Sequence, residues 1–86
     1  MHAQVIELRR KFYETLNRLI LELKGMKGMK SSVDVAKTYL TFVAHTSKNY
    51  LDNSILTDNE ARTAVVRFFR IKEHLEDMHR EHARAM

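Results

Sequence analysis

Three of the five histidines, His74, His79 and His82, crowd the end of the chain, and His79 and His82 stand about one helical turn apart. Two imidazoles at that spacing could share a metal ion. A zinc site needs three or four ligands with supporting neighbours, however, and Glu76 lies near His79 but is turned away from His82. No metal is expected. A titratable contact suits these residues better: His82 buried in a helix seam would resist protonation, and an assembly formed through it would weaken below about pH 6. His45-Thr46-Ser47 sets an imidazole beside two hydroxyls, but adjacent helical residues point in different directions and no acid is placed to orient the ring. Neither an enzyme nor a cofactor is expected.

The basic residues are the other candidates. Arg9, Arg10, Lys11, Arg18, Lys24, Lys27 and Lys30 follow one another early in the chain, and Arg62, Arg67, Arg70, Arg80 and Arg84 late in it. Glu7, Glu14 and Glu22 interleave the first set; Glu73, Glu76, Asp77 and Glu81 interleave the second. That is the pattern of solvated helix faces with i,i+4 pairing. Phosphate binding needs cations gathered on one surface, so nucleic-acid binding through Arg9, Arg10, Lys11, Lys27 and Lys30 stands as the alternative to protein binding. The balance of 15 Lys and Arg against 11 Asp and Glu, a formal +4, favours acidic partners and is modest for a dedicated nucleic-acid binder.

These side chains must be positioned by helices. The chain has 86 residues, 44% of them apolar, with two glycines and no proline or cysteine, so it folds as one small domain held by packing alone. No apolar run approaches the roughly 18 residues of a membrane span, and the opening residues lack the continuous apolar stretch of a secretory signal. A cytoplasmic protein is expected.

Val5, Leu8, Phe12, Leu16, Leu19 and Leu23 recur at steps of three and four, which predicts a helix over about 3–24. Arg9 interrupts its apolar arc, and its stem is expected to carry the charge out to water. The tandem Gly25-Met26-Lys27-Gly28-Met29-Lys30 ends that helix, with the break near Gly28. Ser31-Ser32-Val33-Asp34 reads as a variant capping box opening a second helix over about 32–51, whose wide apolar face includes Val35, Ala36, Tyr39, Leu40, Phe42, Val43, Tyr50 and Leu51. Asp52-Asn53-Ser54 is a turn, and Thr57-Asp58-Asn59-Glu60 is a full capping box for a third helix over about 58–84, with Leu56 stapled onto Ala61.

The third helix carries a heptad seam: Ala61, Ala64, Phe68, Ile71, Leu75, Met78, His82 and Ala85. Its later part, from Leu75 to His82, extends past the cover expected from the second helix, and another subunit would supply the shelter. In a parallel homodimer, Arg67 would meet Lys72 and His74 would meet His79, so an antiparallel pairing is favoured. The expected architecture is all-α, a three-helix bundle with long first and third helices, forming a dimer.

The function expected of it is that of a small non-enzymatic regulatory or adaptor protein acting through protein contacts, with a component of a larger assembly as a further alternative to nucleic-acid binding. The contact residues would be Phe68, Ile71, Leu75, Met78, His79 and His82 on the third helix, with Met26 and Met29 in the turn. By this reading Leu75→Asp breaks the assembly and Phe42→Asp unfolds the subunit. The span from Glu14 to Phe69, with Glu14-Thr15-Leu16, a glycine turn and Ser31 ahead of an apolar helix, resembles the small helical biofilm and acid-resistance regulators of enteric bacteria. The C-terminal extension departs from that pattern, and no functional residue is carried over from it.

Overall fold

A computed structural model describes residues 3–85, with side chains through residue 81. The chain forms three helices, α1 (Ala3–Gly25), α2 (Ser32–Asp52) and α3 (Asp58–Ala85), and no strand occurs among the described residues. None of the described helices is long and apolar enough to cross a membrane.

Local chemistry sets where each helix begins and ends. At the end of α1 the amides of Met26 and Lys27 donate to the carbonyls of Leu23 and Lys24 at 3.1 and 3.4 Å, tightening the last turn. Gly28 then takes φ 90°, a conformation open to glycine at little cost, and the chain reverses there. The capping box expected at Ser31 does not form. Its backbone is already helical, with φ −71° and ψ −11°, whereas a serine hydroxyl reaches the early amides from an extended backbone. Carbonyls of the turn do part of that work, since the Ser32 amide donates to Met29 at 3.1 Å.

The end of α2 is closed by a paired motif: the Ile55 amide donates to the Tyr50 carbonyl at 2.8 Å and the Ser54 amide to Leu51 at 3.1 Å. Such a closure needs a left-handed residue, and Ser54 occupies it with φ 59°. At the start of α3 the full capping box forms. Thr57 Oγ1 accepts from the Glu60 amide at 3.1 Å, and the Thr57 amide donates to Glu60 Oε1 at 3.0 Å. Leu56 and Ala61, on either side of that cap, are both buried.

Helices α1 and α3 run parallel, with α2 antiparallel to both. Arg9 near the start of α1 reaches Glu60 near the start of α3, while Leu23 and Leu75 line one hollow at the other end. Bulky side chains of α1 (Phe12, Leu16, Leu19, Ile20 and Leu23) pack with Phe68 and Leu75 of α3 in a single core. The buried positions of α2 are small, Ala36, Val43 and Ser47, and α3 answers with Ala61 and Ala64. This lets α2 and α3 pack closely, while α1 stands farther off. Ser47 is 1% exposed, and its hydroxyl has no hydrogen-bond partner.

Two expectations about packing are corrected. Phe42 is 48% exposed, at the rim of a shallow depression between α1 and α2. Two neighbours cover only part of the wide apolar face of α2, and Phe42 falls beyond their reach. Leu75, expected to need a second subunit, is 4% exposed. It belongs to the core with Leu23 and Phe68, and Gly28, Met29 and Ser32 line a hollow beside it and Met78.

Candidate interaction groove

The contact residues expected from the seam are divided by the fold. Phe68 and Leu75, 1% and 4% exposed, are core and cannot meet a partner. The heptad positions that read as an outward seam are those that face α1 and α2. Ile71, Met78 and Met26 are half-buried, and His79 and Met29 are exposed beside the shallow hollow at Gly28 and Ser32. The side chain of His82 lies outside the described residues, and with it the pH-dependent contact. Among the described residues no three His, Cys, Asp or Glu side chains gather where a metal could be held.

The cations expected for nucleic acid are not assembled into a patch. Arg10 is engaged by Glu7 and Glu14 on its own helix. Arg9, expected to reach water, instead forms a two-pronged ion pair with Glu60, Nη1 and Nη2 donating to Oε1 and Oε2 at 2.8 and 2.7 Å. Its Nη1 also donates to the Ile55 carbonyl at 3.0 Å. Lys11, two residues on, faces the opposite side of α1 from Arg9. Lys27 and Lys30 are exposed in the turn.

Glu60 is the centre of this anchor. Besides Arg9 and the Thr57 amide it accepts from the Tyr13 hydroxyl at 2.8 Å. The Arg9 hydrogen bonds, followed by the Thr57 amide, hold its carboxyl down at about 2 against the opposing effect of burial. Burial, followed by the hydrogen bond to Glu60, pushes the Tyr13 hydroxyl up. A second tie joins α1 to α2, Tyr39 donating to Glu22 at 2.5 Å. These contacts tie α1 to α2 and α3 and set its position.

Beyond the anchor an open groove lies between α1 and α3. It consists of two adjoining hollows of about 640 and 260 Å³ that share Ile20, Lys24, Arg70 and Ile71. Its apolar lining is Ile20 and Leu23 of α1 with Val66, Ile71 and Leu75 of α3, of which Ile20, Leu23 and Leu75 are buried. Val66, 38% exposed, and half-buried Ile71 stand five residues apart on α3, about 140° around the helix, with the basic residues between them. Lys24 and Lys27 form one wall and Arg62, Arg67 and Arg70 the other, with His74 at one end and no carboxylate in the lining.

That concentration stands out against the rest of the surface. Five cations here exceed the formal +4 of the whole chain. Elsewhere some cations are matched at short range, as in Lys48 with Asp52 at 2.9 Å and Lys72 with Glu76 at 3.0 Å, while Lys11, Arg18, Lys30 and Lys37 have no carboxylate within ion-pair distance among the described residues. Of the groove cations, Arg62 has Asp58 at 2.9 Å, and among the described residues Lys24, Lys27, Arg67 and Arg70 have no carboxylate within ion-pair distance. The interleaved acids predicted solvated faces and hid this wall: Glu73 and Asp77 stand one turn from Arg70 and His74 in the sequence, yet neither is in the lining. The spacing of Arg67, Arg70, Ile71 and His74 would have pointed to it once α1 and α3 were set parallel.

Compared with known protein families, with curated proteins and with solved structures, the chain matches none. The likeness to biofilm and acid-resistance regulators rests on the Glu14 to Phe69 pattern alone.

Proposed function

We propose that this chain is a small non-enzymatic regulatory or adaptor protein that acts by binding another protein along its helices. The observation that carries this reading is the groove between α1 and α3, where Ile20 and Ile71 lie beside cations that have no carboxylate partner among the described residues. Its contact surface is therefore the middle of the bundle rather than the end of α3. Exposed apolar side chains beside these cations, Val66 and Phe69, favour protein over nucleic acid, since a phosphate backbone gains nothing from them.

A homodimer is a second reading, supported by Phe69, 44% exposed on α3 with the Lys72 ammonium 4.9 Å from its ring centre. The immobilised chain should retain a defined protein from native lysate after nuclease treatment and a wash at about 0.5 M salt, where phosphate contacts are strongly weakened. Loss of the bound protein on nuclease treatment or in the salt wash, or retention of nothing above background, rejects the adaptor reading. A single-chain mass in sedimentation rejects the homodimer.

A further inference from the structure

Resting on the second reading, that of a homodimer, we infer that two copies of this chain pair antiparallel along the outer face of α3, with Phe69 beside the two-fold axis. Helical geometry defines the face. At about 100° per residue, Asp58, Arg62, Glu76 and Arg80 all lie within about 20° of Phe69 around α3. Val65, half-buried, and Val66, 38% exposed, stand one turn earlier on either side of that line and share a shallow hollow with Ala44 and Leu51 of α2. Phe69, 44% exposed, extends the same apolar patch.

The order of the charges along this face selects a second copy as the occupant. Arg62 stands seven residues before Phe69 and Glu76 seven after it; Asp58 stands eleven before and Arg80 eleven after. An antiparallel two-fold through Phe69 therefore sets Arg62 of each copy opposite Glu76 of the other, and Asp58 opposite Arg80. Both facing pairs are of opposite sign. Glu73, within about 40° of Phe69 on the same face, brings a second carboxylate near the facing Arg62. The Lys72 ammonium, 4.9 Å from the Phe69 ring centre and 3.0 Å from Glu76, stays at the flank of the apolar centre. A parallel pairing would instead bring Arg62 to Arg62 and Glu76 to Glu76, which repel. Within its own chain Arg62 is held by Asp58 at 2.9 Å, so each end of the contact joins acids and bases in alternation. These rim charges fix orientation, and Phe69 with the two valines supplies the dry contact.

The test is sedimentation equilibrium of the whole chain at concentrations from about 1 µM to about 1 mM. The parent should pass from a one-chain to a two-chain mass within that range. Phe69→Asp should weaken dimerisation at least about tenfold. Arg62→Glu sets carboxylates face to face at both ends of the contact and should weaken it by about tenfold or more. Adding Glu76→Arg to the same chain returns opposite signs to the facing positions and should recover affinity several-fold. Phe69 and Arg62 are exposed and Glu76 is half-buried, so the helical circular-dichroism signal should be retained. Recovery in the double variant separates a lost contact from a damaged fold.

A dimer indifferent to Phe69→Asp or to Arg62→Glu, or a loss that Glu76→Arg does not repair, overturns the inference and leaves the homodimer reading to another face. A one-chain mass across the whole range removes both. The adaptor reading is decided separately, by retention of a protein from lysate.

Discussion

At the scale of single residues the most consequential group is Glu60, whose carboxylate serves a helix cap and a tertiary anchor at once. Its folded-state value of about 2 lies below the ordinary 4.5, so the ionised form favours the fold. That contribution is complete above about pH 4.5 and is lost as the pH falls through 2. In Glu60→Gln, stability should be about 2 kcal/mol lower at neutral pH, by the measure of charged hydrogen bonds. The difference from the parent should shrink progressively on acidification, as read from urea melts at a series of pH values. A difference constant from neutral pH down to pH 2 contradicts the assignment. Half of this arrangement is legible in the sequence. The Thr57 to Glu60 box is local and has a pattern, whereas Arg9 and its carboxylate are 51 positions apart and no periodicity links them.

The elements show why the caps were read unequally well. A capping box predicts a hydrogen bond when the incoming chain is extended, as at Thr57; after Gly28 the turn is already helical at Ser31, and the same residue types make no cap. The closure of α2 illustrates the converse. Asp52-Asn53-Ser54 reads as a turn, but nothing in its composition shows that the serine takes the left-handed position. An L-residue with a Cβ is held there at a cost of about 1 kcal/mol relative to glycine. Ser54→Gly should therefore raise unfolding free energy by up to about 1 kcal/mol, the gain reduced by the freer unfolded chain. Denaturant melts check this, and a loss of stability would mean that the Ser54 side chain has a role beyond its backbone angle.

For the whole molecule, the helical periodicities give the all-α bundle and its three segments, while the distribution of burial depends on how the helices meet. An aspartate at Leu75 enters the core, and Leu75→Asp should destabilise the isolated subunit by about 3 kcal/mol or more. Phe42→Asp replaces a side chain that is already 48% exposed and should cost about 1 kcal/mol or less. That order reverses the one drawn from the seam, and thermal melts at low concentration measure it directly. Hydrophobic spacing marks Leu75 and Phe42 as equally apolar positions; what separates them is that Leu75 joins the core with Leu23 and Phe68, while Phe42 stands at the rim of a depression between α1 and α2. The groove is illegible for the same reason, since its two walls come from opposite ends of the chain and acquire meaning when α1 and α3 lie side by side.

The Arg9 to Glu60 anchor also orders events in time. During synthesis α1 leaves the ribosome first, yet the carboxylate that fastens its leading end is made 51 residues later. Until then Phe12, Leu16 and Leu23 have no complete shelter, and the nascent chain presents an oily strip to whatever passes. The anchor cannot close before Glu60 is made, and the strip is fully covered only once Phe68 and Leu75 have followed it.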